Sequence, residues 1–127
     1  MISRIHSTTV LVRDQEEALA FYVGKLGWEK RADNSFGEGS RWLTVAPPGA
    51  ATELVLGMAA DYGRPEGTVS SDCGISLVTP DIDAAYAELS AKGVRFRQAP
   101  EPMPWGAKAT WLSDPDGNTF FLSEERD

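Results

Sequence analysis

VLVRDQEEALAFYVGKLGWE, residues 10–29, runs from a β-branched stretch into a capped amphipathic helix. LVTPDIDAAYAELSAKGVRF, residues 77–96, repeats that grammar. In the first copy residues 5–12 (IHSTTVLV) read as a strand. Asp14 is a helix N-cap, with Glu17 three residues on as in a capping box. Ala18, Leu19, Tyr22, Val23 and Leu26 fall at helical spacing, and Gly27 closes the helix. In the second copy residues 74–79 form the strand and Asp81 the N-cap. Ile82, Ala85, Tyr86 and Leu89 form the apolar face, and Gly93 the stop. Asp14 and Asp81 are 67 residues apart, Gly27 and Gly93 66, so one unit occurs twice.

Outward from these anchors each copy continues into three short strands. Residues 28–32, 41–46 and 52–56 follow the first helix, separated by the Gly/Ser/Asn loop 34–40 and by Pro47-Pro48-Gly49. Residues 94–97, 107–113 and 118–123 follow the second. Residues 99–106 between them read as a Pro-rich loop, and Asp114-Pro115-Asp116-Gly117 as a hairpin turn. Residues 59–72, rich in Gly, Pro, Ser and Asp, read as a connection. The expectation is an α+β protein of two βαβββ modules: one domain over 1–127, with module one 1–58, the connection 59–72 and module two 73–127. Helices should cover one face of each sheet, and the other faces should cup a shared cleft.

Composition narrows the partners. The 127 residues are 42% hydrophobic with a net charge of −7. No Lys/Arg cluster interrupts that acidity, which argues against nucleic acid and anionic membrane and weakly favours cationic ligands. Cys73 is the one cysteine, so no intrachain disulfide forms. The N-terminal residues lack a signal-like apolar run, and no apolar stretch approaches spanning length, which points to a cytoplasmic protein.

These segments, with WGAKATWLSDPDGNTFFLSE at residues 105–124, resemble the glyoxalase/bleomycin-resistance/dioxygenase (vicinal oxygen chelate) superfamily. Asp14, Phe21-Tyr22 and Leu26-Gly27 match its opening signature, and Trp105-Gly106 and Asp114 through Asn118 its closing hairpin. The resemblance covers essentially the full chain. It implies paired βαβββ modules, a cleft formed by cupped sheets, and a homodimer. The family holds metal-dependent lyases, isomerases, transferases and dioxygenases as well as antibiotic-binding proteins, so fold does not choose function.

The family's metal enzymes take His or Glu from inward positions on four strands. Placed by motif, those positions fall here on Ser7, on Val55 (or Glu53 with a two-residue shift), on Gly74 and on Phe121. Such a set offers no site of three N/O ligands. His6 is the only histidine and, as Ser7's neighbour on a strand, should face the other way. Asp114 and Asp116 read as turn residues. The expectation is no metal and no cofactor. No Ser-His-Asp arrangement, activated cysteine or phosphate loop is evident, so catalytic residues stay unassigned.

In the family's register Ser7, Thr9, Leu11, Val55, Gly74, Ser76, Val78, Thr119, Phe121 and Ser123 line the cleft, with Thr110 and Leu112 on the face of Phe121. Phe36, Tyr62, Trp42 and Trp105 lie in rim positions, and Arg41 beside Trp42 offers a charge for an anionic or carbonyl group. Trp28 and Trp111 read as core; Trp42 and Trp105 serve either the rim or a dimer seam. This lining favours metal-independent binding and sequestration of a small, aromatic or antibiotic-like molecule. The alternatives are a metal-dependent lyase, isomerase or dioxygenase, and a pseudoenzyme subunit.

Overall fold

Asp14 opens the first helix as expected: its Oδ1 accepts the backbone N–H groups of Glu16 (2.9 Å) and Glu17 (3.1 Å). The computed structural model describes residues 1–125 and divides into two compact units, Met1–Ser70 and the chain from Ser71 onward. No helix among the described residues is long and apolar enough to cross a membrane.

The first unit holds strands β1 (Ser7–Leu11), β2 (Glu29–Ser35), β3 (Arg41–Ala46) and β4 (Glu53–Gly57), with helix α1 (Gln15–Leu19) after β1. The sheet order is β1-β4-β3-β2; β1 and β4 run parallel and the other pairs antiparallel. Val10, Leu43, Val45, Leu54 and Leu56 alternate along the strands and form its core with Ala18, Phe21 and Tyr22. Gln15 Nε2 donates to the Leu56 carbonyl (2.9 Å) and pins the helix start to β4.

One expectation about this helix needs correction. Helical spacing put Ala18, Leu19, Tyr22, Val23 and Leu26 inward, but α1 passes into a π-helix over Ala20–Lys25, where Leu26 N–H reaches the Phe21 carbonyl (3.0 Å). The wider π turn shifts the phase of every later side chain. Phe21 therefore turns in, edge-on to Tyr22 at 5.0 Å, and Val23 turns out. Trp28 packs on Tyr22 (5.5 Å), consistent with its core reading. Residues 59–72 are not featureless either: Ala59–Tyr62 form a 3₁₀ turn with Ala59 buried.

The second unit repeats the topology. Strands β5 (Asp72–Thr79), β6 (Arg95–Phe96), β7 (Glu101–Pro102), β8 (Lys108–Ser113) and β9 (Thr119–Glu124) accompany helix α2 (Ile82–Ala91). The order is β5-β9-β8-β6, with β5 and β9 parallel and β7 paired to β8 inside the segment read as a loop. Asp81 Oδ1 caps α2 by accepting from Ala84 N–H (3.0 Å). Gly93, at φ +89°, ends it with the two reversed bonds of a Schellman motif, Gly93 N–H to Ser90 and Val94 N–H to Leu89. Ile82, Leu112, Phe120 and Leu122 are buried, and Tyr86 of α2 meets Phe96 of β6 edge-on at 4.9 Å.

Candidate ligand-binding site

Strand pairing decides which side chains share a face, because directly paired residues project to the same side. In the first unit Ser7 pairs with Glu53, Thr9 with Val55, Leu11 with Gly57, and Thr44 with Val55. Ser7, Thr9, Leu11 and Val55 therefore share one face of the first unit's sheet, with Thr44 and Trp42, and Leu11, Val55 and Thr44 are buried on it. Tyr62 joins them: its ring lies across Gly57, so that a Cβ there would stand 2.6 Å from Tyr62 Cε2. Phe36 sits at the β2–β3 hairpin tip, half exposed, its N–H bonded to the Ser40 carbonyl (3.1 Å).

Arg41 is elsewhere. Alternation puts it opposite Trp42, and its guanidinium clamps Asp33 (Nε to Oδ1 2.7 Å, Nη2 to Oδ2 2.8 Å) while also bonding Glu16. These bonds, with Lys30 beside them, hold the Asp33 carboxyl far below the ordinary carboxylate range and push Arg41 further up. Arg41 thus ties α1 to the β2–β3 hairpin, and its charge is already matched.

In the second unit Ser76 pairs with Phe121, and Phe121 with Trp111. The Trp111 and Phe121 rings meet at 5.2 Å and 60°. Trp105, in the turn after β7, stands 6.3 Å from Phe121 at an interplanar angle of 54°. Next to Trp111, Arg97 donates its backbone N–H to the Trp111 carbonyl (2.9 Å) and holds its guanidinium carbon 4.7 Å over the indole. Trp105, Phe121, Trp111 and Arg97 so form one continuous row. Trp105 and Val78 on this face are each 62% exposed.

Two expectations are corrected here. Thr110 and Leu112 pair with Leu122 and Phe120, on the opposite, buried face. Trp111, read as core, takes their place beside Phe121. The cause is loop parity. A four-residue turn would bring even-numbered β8 positions onto the face of Phe121. The closing pair is instead Ser113–Thr119, so Asn118 belongs to a five-residue loop and odd positions meet odd ones. Asp114 builds that loop, its Oδ1 accepting the N–H groups of Asp116 and Asn118 and its Oδ2 the Asn118 side-chain amide. Both acidic residues of the turn thus have turn roles. Arg97 escaped sequence reading altogether; its signal was the Phe96 beside it, whose inward direction forces Arg97 outward.

The donor set does not fit a resident divalent metal. Phe121 and Gly74 stand where side-chain donors would be needed. His6 does not simply point away: its Nε2 lies 4.0 Å from Glu53 Oε2. Glu53 Oε1 already accepts from Thr44 Oγ1 (2.7 Å). Among the described residues no three His, Cys, Asp or Glu side chains come together. Cys73 bonds the Thr119 carbonyl, and burial pushes its thiol up, away from nucleophilic use.

Known proteins carry the same fold. A sequence profile of the Glyoxalase/Bleomycin resistance protein/Dioxygenase superfamily matches residues 4–122. The chain is 36% identical to the uncharacterized protein YetH of Bacillus subtilis (strain 168) over 124 residues, 98% of this chain and 100% of YetH. A crystal structure of a superfamily member from Sphaerobacter thermophilus superposes with a TM-score of 0.91 at 53% identity, covering 98% of both chains. TnmS3, an antibiotic binding protein from Streptomyces sp. CB03234, superposes with a TM-score of 0.81 at 39% identity, also over 98% of both. Two βαβββ units, their signatures and this full-length match make the chain a member of the glyoxalase/bleomycin resistance protein/dioxygenase superfamily.

Proposed function

We propose that the protein binds, and does not transform, a small planar organic molecule, and that the open sheet face of the second unit is a main part of its binding surface. The observation that carries this reading is the row Trp105–Phe121–Trp111, three rings in steps of 6.3 and 5.2 Å on a sheet face. Such rings stack on flat ligands through dispersion and quadrupole contacts. Ser76, paired with Phe121, adds a hydroxyl to this face. On the first unit, taken by itself, Ser7, Thr9 and Tyr62 offer hydroxyls and Trp42 and Phe36 apolar surface, while Leu11 and Val55 are buried beneath them. The similarity to TnmS3 makes an antibiotic-like ligand, held by sequestration, the first class to screen.

The test is tryptophan-fluorescence titration of the purified chain against planar antibiotics and aromatic metabolites. Saturable quenching with unaltered ligand recovered by mass spectrometry is the expected result. Turnover that tracks a bound metal would overturn it. One contact favours that second reading, the approach of His6 to Glu53. Elemental analysis after loading with nickel, zinc, manganese and ferrous iron in turn separates the two. A ratio near one metal per chain would make the chain a metal-dependent lyase, isomerase or dioxygenase. The reading also takes the working form to be a cytoplasmic homodimer, which sedimentation of the purified protein checks for assembly.

A further inference from the structure

The aromatic row ends in a charge, and among the described residues that charge has no acidic partner. Arg97 lies over Trp111 at 4.7 Å, and among the described residues no carboxylate forms an ion pair with it. Arg31, Arg41, Lys30, Lys92 and Lys108 each have one, and Arg4, Arg64 and Arg95, which also have none among the described residues, lie against no aromatic ring there. In a chain of net charge −7, an exposed guanidinium left open at the edge of an apolar surface stands out.

The geometry points to an aromatic acid as the ligand class: a planar ring lying on Phe121 against the edge of Trp111, with an ionised oxygen meeting Arg97. This deepens, and rests on, the proposed binding of a planar molecule. Three observations support it. Arg97 is held in place by its backbone bond to Trp111 and by the indole beneath it, so little side-chain freedom is lost on binding. Among the described residues no side chain or carbonyl bonds the Arg97 guanidinium, whose in-plane donors suit two parallel N–H···O bonds to a carboxylate. The step from the Phe121 ring to Trp111 is 5.2 Å and from Trp111 to Arg97 4.7 Å, within the reach of a fused bicyclic acid. The chain's acidity disfavours anions at long range, but screening at physiological salt confines that penalty to about 8 Å, so the local cation governs.

Calorimetry with 2-naphthoate and 2-naphthamide on the full chain tests this. The pair shares shape and differs in charge. The acid should bind about tenfold more tightly than the amide, the scale of one charge-assisted contact. Raising the salt from 0.05 to 0.5 M should narrow that ratio. Arg97→Gln should bring the ratio to about one, and Arg97→Lys should retain part of it. Arg97 is exposed, so neither variant threatens the fold. Equal binding of acid and amide, or a ratio unchanged by Arg97→Gln, overturns the inference and leaves planar-ligand binding standing. Failure of both compounds to bind removes both. A monomer produced by Arg97→Gln from a dimeric parent, with no binding by either, would mean that a second copy of the chain covers this face, and also overturns it.

Discussion

Phe121 and Trp111 stand directly across the closing hairpin, their rings 5.2 Å apart at 60°, with Arg97 over the outer indole. The equivalent row of the first unit is Thr9–Val55–Thr44–Ala32, displaced by 67, 66, 67 and 65 residues from Ser76–Phe121–Trp111–Arg97. One topology thus carries two different surfaces. The first row is small, with Thr44 and Val55 buried; the second is aromatic, cationic and more open. The proposed stacking of a planar ligand therefore rests on the second unit.

Replacing Phe121 by Ala should weaken binding of a planar ligand about tenfold or more, since a ring–ring contact contributes about 1 kcal/mol beyond the area it buries. Fluorescence titration reads this directly. An unchanged affinity would exclude the row as the binding surface.

Thr110 tests the corrected register from the other side of the sheet. Its hydroxyl is buried and donates to the Gln98 carbonyl at 2.6 Å. Thr110→Val should cost about 1 kcal/mol in urea denaturation and leave ligand affinity unaltered. A loss of affinity without a loss of stability would return Thr110 to the ligand face.

Asp114 should be the costliest polar residue of the closing hairpin to lose. Asp114→Ala strips partners from the N–H groups of Asp116 and Asn118 and from the Asn118 amide, and both Asp114 and Asn118 are buried. A destabilisation of about 3 kcal/mol is expected by denaturant unfolding. Asp116→Ala, outside this set of acceptors, should cost far less.

Gly57 is held small by Tyr62. A methyl there would lie 2.6 Å from the Tyr62 ring and 3.3 Å from Thr9 Cγ2. Gly57→Ala should destabilise by about 1–3 kcal/mol through overpacking, and Tyr62→Ala in the same chain should relieve much of that. A double-mutant cycle measures the relief; strict additivity would mean that the ring is not the obstacle.

Asp33 should titrate far below a normal aspartate. Its folded pKa is depressed by the Arg41 hydrogen bonds first and Lys30 second, so its contribution to stability is fully present above the unfolded value near 4 and is lost as pH falls through the lower folded one. Carboxyl-carbon NMR should show Asp33 still ionised at about pH 3, where an ordinary aspartate is mostly protonated. In Arg41→Gln the transition should move up toward the ordinary value.

The repeat, the helix caps and most strand locations were legible in the residues alone, because they depend on local chemistry. Asp14 and Asp81 offer carboxylates to free helix N–H groups, Gly93 accepts a positive φ, and β-branched alternation marks strands. The absence of donor side chains at Gly74 and Phe121 was legible there too, since no fold supplies atoms that a residue lacks. Facing was decided only in the tertiary structure. A single residue, Asn118, joining the loop exchanged Thr110 and Leu112 for Trp111, and the π turn at Ala20–Lys25 exchanged Val23 for Phe21. Arg41 looked free in sequence, and its partners Asp33 and Glu16 lie 8 and 25 residues away. Parity and long-range pairing are properties of closed hydrogen-bond networks, and one residue gained or lost in a loop inverts every side chain beyond it.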